Sequence, residues 1–136
     1  MKRFNILILL LSVFFLYVVN VKAEDKIYTA SIDSDGVQRI EVLGGGYYFD
    51  PNVIIVKVNV PVELTFRKTP GFTPHNIIIK APEAGIDINE VMGKTPKTIK
   101  FTPLKTGAYA MYCDKRFLLF DDHRKKGMEG VLKVVE

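Results

Sequence analysis

From Val37 to Val135 the chain alternates and breaks, and no segment sustains a helical period over three turns. Val62 to Phe66 (VELTF) sets Val62, Leu64 and Phe66 on one face and Glu63 and Thr65 on the other, the two-residue period of a strand with one buried side. Val37 to Leu43 (VQRIEVL) and Thr98 to Thr102 (TIKFT) alternate in the same way. Val53 to Val58 (VIIVKV) and His75 to Ile79 (HNIII) are β-branched runs too short for helices. Gly107 to Cys113 (GAYAMYC) puts Tyr109, Met111 and Cys113 on one side and Ala110 and Tyr112 on the other, and Gly130 to Val135 (GVLKVV) closes the chain. Gly44-Gly45-Gly46, Asn59-Val60-Pro61 and Thr69 to Pro74 (TPGFTP) supply the turns. Residues 81–97 are less regular, and Ile86 to Met92 reads as a short helical turn or an irregular crossing. Six to eight strands with frequent turns predict an all-β fold, an antiparallel sandwich or barrel.

The first 23 residues do not belong to that pattern. Lys2 and Arg3 precede an apolar run from Ile6 to Val19, interrupted only by Ser12 and Tyr17, and Val21-Lys22-Ala23 suits a cleavage site. This predicts a signal peptide over 1–23 and one domain over 24–136, in a periplasmic or secreted protein. If the leader stays uncleaved, it anchors the domain at the outer face of the inner membrane, the one route to membrane contact. No cysteine stands at the expected cut, so no lipid anchor is indicated. Losing Lys2, Arg3 and Lys22 lowers the formal charge from +4 to +1, and the remaining charges are interspersed. Such a surface gives no reason to expect a nucleic-acid partner.

A single cysteine, Cys113, leaves the domain without an internal disulfide. A lone thiol in an oxidising compartment is buried or occupied. The sequence has two histidines, His75 and His123, and beyond the leader three methionines, Met92, Met111 and Met128. Two imidazoles, a thiolate and a weak axial thioether form the donor set of a blue-copper centre. Cys113 ends a strand, His123 and Met128 follow in a polar loop, and His75 has to arrive from a distant strand. Met128 suits the axial role better than Met111, which shares a strand face with Cys113 about 6.6 Å along it and points into the core. Each residue alone has a plainer reading: Cys113 as a small buried hydrophobe, His75 as a structural or surface residue, Met128 as filler.

Four stretches resemble the cupredoxin family, which includes plastocyanin and azurin: YYFDPNVIIVKVNVPVELTF at 47–66, the pair His75-Asn76, the strand Gly107 to Cys113, and HRKKGMEG at 123–130. The resemblance spans about residues 37–136. It implies a Greek-key β-sandwich holding one mononuclear Cu(I)/Cu(II) ion, with His75, Cys113, His123 and Met128 as ligands and Asn76 bracing the ligand loops. All four coordination places would be taken, which argues against an enzyme, since a catalytic metal needs a vacancy. The implied role is an electron carrier that docks transiently on a redox protein or respiratory complex. A copper carrier or store, and a metal-free interaction module, are the alternatives.

One departure stands out. Nine residues, DKRFLLFDD, separate Cys113 from His123, more than simple blue-copper proteins have. Where dinuclear sites of the family carry a second cysteine, this chain has Phe117, so a dinuclear site is not expected. Phe117, Leu118, Leu119 and Phe120 either cover the core or shield the metal from water, the favoured reading, or form an exposed docking patch. Tyr112 is either an exit route for an electron or an ordinary inter-strand tyrosine.

Overall fold

The structure is a computed structural model describing residues 24–116 and 118–136; the expected leader 1–23 and Phe117 lie outside the described residues. Among the described residues, ten strands form two sheets: β1 (Ile27–Thr29), β2 (Gln38–Gly45), β3 (Tyr48–Asp50), β4 (Val53–Lys57), β5 (Val62–Lys68), β6 (His75–Ala81), β7 (Ile86–Met92), β8 (Lys97–Phe101), β9 (Gly107–Tyr112) and β10 (Glu129–Val135). One sheet runs β1-β4-β10-β9-β6-β7 and the other β3-β2-β5-β8. This is the expected all-β sandwich of cupredoxin type, but it is not wholly antiparallel. β1 with β4, β4 with β10, and β2 with β5 pair in parallel. Parallel neighbours need long connections, and a chain that crosses between two sheets provides them.

The alternation seen in the sequence becomes the core. Ile40 and Val42 of β2 and Leu64 and Phe66 of β5 face Ile54, Val56, Ile77, Ile79, Leu132 and Val134 of the other sheet, all buried in one cluster. Burying each such side chain contributes about 1.5–3 kcal/mol. Gln38 begins the inward row of β2 and is itself buried. Its Nε2 donates to the carbonyls of Lys57 (3.1 Å) and Val60 (3.3 Å), and its Oε1 accepts from the Lys57 N–H (2.7 Å). A buried amide is tolerated there because its polar atoms are paired.

Ile86–Met92 is neither a helical turn nor an irregular crossing. It is strand β7, in continuous register with β6 from Ile86 opposite Ala81 to Met92 opposite His75. Ile86, Ile88 and Met92 face inward. Asp87, Asn89 and Glu90 are poor strand formers, which hid the alternation, but β7 is an edge strand and their positions meet solvent. The short β1 and β3 arise from pairing rather than pattern.

Candidate metal centre

One end of the sandwich gathers the start of β6, the ends of β7 and β9, and the start of β10, since His75 pairs with Met92 and Tyr112 with Glu129. His75 opens β6 directly after the Pro74 turn. Cys113 follows β9, and its N–H donates to the Met128 carbonyl (3.1 Å). The Met128 N–H donates to the His123 carbonyl (2.9 Å), and the His123 N–H to the Lys115 carbonyl (2.9 Å). This chain of backbone bonds closes the long loop at its base and keeps Cys113 and His123 together.

The structure brings His75, Cys113 and His123 together, with their donor atoms all within 4.8 Å of one another. The two Nδ1 atoms are 3.2 Å apart, and Cys113 Sγ is 3.5 Å from His123 Nδ1. All three residues are buried. Two imidazole lone pairs at that distance repel unless one nitrogen carries a proton or a cation lies between them. A soft thiolate with two imidazoles suits a copper ion, and the donor set therefore fits the expected cofactor. Met128 is also buried, and its backbone bonds to both Cys113 and His123, which places it beside the cluster.

Electrostatics act in the same direction. Burial, then the neighbouring His123 and Lys68, lower the His75 pKa to about 4. Burial also lowers that of His123, with Lys126 adding to the effect. Both rings are thus neutral near pH 7, as metal ligation requires. Burial raises the Cys113 pKa, against the pull of the Asn76 and Lys115 N–H groups, so the metal-free site holds a thiol whose proton a cation has to displace.

Asn76 lies where a brace is needed. Its N–H points at Cys113 Sγ (3.4 Å), its Nδ2 donates to Asp114 Oδ1 (2.9 Å), and its Oδ1 accepts from the Asp114 N–H (3.1 Å). Tyr112 is half-buried on the face opposite Met111, under the Arg124 guanidinium at 4.4 Å. Met111 packs in the core, as its strand face required.

Three residues of the apolar run in the loop do not cover the core. Leu118, Leu119 and Phe120 form an exposed turn, with relative exposures of 77%, 103% and 59%. The backbone bonds at the base of the loop carry these residues away from the sheets. Phe72, in the loop leading to His75, is equally exposed.

Two neighbours of the site had no particular place assigned from sequence. Tyr47 sets its ring edge-to-face against His123, with centroids 4.9 Å apart, and Lys126 Nζ lies 4.5 Å over the Tyr47 ring. Met92 shares the site's end of the sandwich with Met128. A tyrosine directly after three glycines was the one available signal for Tyr47.

Residues 6–132 match the model of the cupredoxin-like domain family. No curated protein sequence matches the chain. Among solved structures, the chain is similar to the metal-binding domain of the Cu(I)-exporting P-type ATPase CopA of Streptococcus pneumoniae, determined with Cu(I). The identity is 27%, the TM-score 0.59, and the match covers 84% of this chain and all of that domain. It is similar in fold to reduced auracyanin from Roseiflexus castenholzii, at 23% identity and TM-score 0.56, over 79% of this chain and 99% of that one. Rusticyanin from Thiobacillus ferrooxidans matches at 16% identity and TM-score 0.59, over 84% and 85%.

Proposed function

The chain belongs to the cupredoxin-like domain family, and from that premise we propose that it is a mononuclear copper protein carrying single electrons between redox partners. The observation that supports this most is the meeting of His75 Nδ1, His123 Nδ1 and Cys113 Sγ in a buried cluster. His75, Cys113 and His123 would hold the ion, with Met128 as the weak axial donor. Bound copper supplies a one-electron couple. The chain's own part is to keep both imidazoles neutral, exclude water and hold the donors in one arrangement, so that little has to move when the charge changes. Asn76 would hold the thiolate by its N–H while its amide ties β6 to Asp114. No substrate is transformed in this reading.

Partners would be redox proteins or respiratory complexes, met through the exposed Leu118, Leu119 and Phe120, with Phe117 in the same run. The rim mixes Asp121 and Asp122 with Arg124, Lys125 and Lys126. A small apolar centre with charged edges suits short-lived encounters. Tyr112 offers a second route from Cys113 toward the surface. The leader at 1–23 would place the domain in the periplasm or outside the cell, free or anchored.

A second reading has a specific observation behind it. The 27% identity to a domain determined with Cu(I) favours a protein that delivers copper rather than electrons. Copper titration with visible and EPR spectra, repeated on Cys113→Ser, tests the leading proposal. One copper per chain with an intense thiolate band that vanishes in the variant supports it. Two coppers per chain, or none in either oxidation state, would sink it. Reversible redox cycling with copper retained favours electron transfer, and ready loss of Cu(I) to a chelator favours delivery.

A further inference from the structure

Gly44 ends the inward row of β2, after Gln38, Ile40 and Val42, all buried. The period of that row calls for a large apolar side chain, and the chain has none there. A Cβ at Gly44 would lie 2.8 Å from both Sδ and Cε of Met92 and 3.2 Å from Cε of Met128. Real Cβ atoms do not approach other atoms to 2.8 Å, because packed interiors leave no slack for it. Gly44 is not among the residues with positive φ, so space and not backbone freedom explains the glycine.

The two thioethers that fill this space both adjoin the cluster. Met92 ends β7 directly opposite His75, and cross-strand partners share a sheet face. Met128 is bonded through its backbone to Cys113 and His123. Both methionines are buried. The methyl end of Met128 therefore lies against Gly44 beside Met92.

We propose that Gly44 and Met92 are positioning residues that seat the Met128 thioether and thereby set the reduction potential of copper held at the site. The proposal rests on the reading of Met128 as axial donor. An axial thioether bond is long and weak, so the wall behind the side chain governs its length more than the bond does. A side chain at Gly44 presses the thioether toward the ion. More sulfur donation stabilises the higher charge, and the potential falls. Shortening Met92 lets the thioether retreat, and the potential rises.

The full-length chain is tested with methyl-labelled methionine as Gly44→Ala, Met92→Ala, Met92→Leu and, as a core control away from the glycine, Ile40→Val. In the metal-free protein, the first two shift the Met128 methyl resonance and the control does not. In the copper-loaded protein, Gly44→Ala and Met92→Ala move the Cu(II):Cu(I) ratio at a fixed ambient potential in opposite directions. A change of about tenfold corresponds to about 59 mV for one electron. Met92→Leu, which keeps the volume, stays near the unaltered protein. An unmoved Met128 methyl, or a ratio unchanged while the methyl moves, overturns the proposal. So does a large loss of Cu(I) retention in Met92→Leu, since Met92 would then be a donor and not a wall. Failure of the unaltered chain to bind copper would instead overturn the functional reading. The methyl resonance, which needs no metal, would still decide whether Gly44 and Met92 seat Met128.

Discussion

Gln38 and His75 are both buried polar residues, and they behave oppositely. Gln38 has its amide paired with Lys57 and Val60, so replacing it strands those backbone groups. Gln38→Leu is expected to lower stability by about 2 kcal/mol or more, read from the midpoint of urea unfolding. His75 is buried with a lowered pKa, which makes the metal-free fold sensitive to acid. Unfolded, the ring titrates near 6.5; folded, near 4, chiefly from burial. Between those values the unfolded chain binds a proton that the folded chain refuses, so stability falls as pH drops from 6.5 toward 4. Thermal melts of the metal-free protein across that window check the slope, and His75→Phe is expected to reduce it, leaving the part that His123 contributes through its own lowered pKa. The cluster of His75, Cys113 and His123 was legible from residue types alone, because the chain offers so few alternatives. Tyr47 and Met92 were not, because an aromatic or a methionine acquires a role only from what it touches.

Elements show where local pattern stops being informative. β5 could be read from Val62 to Phe66, since Val62, Leu64 and Phe66 alternate with polar residues and are buried as predicted, and the strand runs on to Lys68. β7 could not, since its charged and amide residues have weak strand preference and only the register with β6 makes it a strand. In the loop from Asp114 to Asp122, the sequence favours an apolar run that covers the core or the metal, and Leu118, Leu119 and Phe120 are exposed instead. The bond from the His123 N–H to the Lys115 carbonyl closes that loop at its base, with Leu118, Leu119 and Phe120 on the solvent side. Leu119→Ser with Phe120→Ser is therefore expected to leave the melting temperature nearly unchanged, within about 0.5 kcal/mol of stability per surface substitution. Under the docking proposal, the same pair slows electron transfer to a partner in stopped-flow mixing. A loss of stability would mean that the loop packs on the core after all.

Among the described residues, the two sheets share one core, and the cluster of His75, Cys113 and His123 sits where strand ends and the loop before β10 meet. Ile77 belongs to the central strand run leading away from His75 and is fully buried. Ile77→Ala is expected to cost about 2–5 kcal/mol in chemical unfolding. Under the proposed function it should also weaken copper retention, because β6 positions His75 at its own start. Copper that binds only the folded chain stabilises it by mass action, about 4 kcal/mol at a thousand times Kd. Calorimetric melts with and without Cu(I) measure this, and Cys113→Ser should remove most of the gain.

Alternation along the chain was enough to name the strands with one buried face, to predict a two-sheet fold and to nominate four possible ligands. Those are properties of near neighbours, governed by side-chain period and by residue chemistry. Three other features needed the folded chain: bringing His75 to within 3.2 Å of an imidazole 48 residues away, making a strand of Ile86–Met92, and turning Leu119 to solvent. Each depends on register, burial or backbone bonds between segments far apart in sequence, which no local pattern encodes.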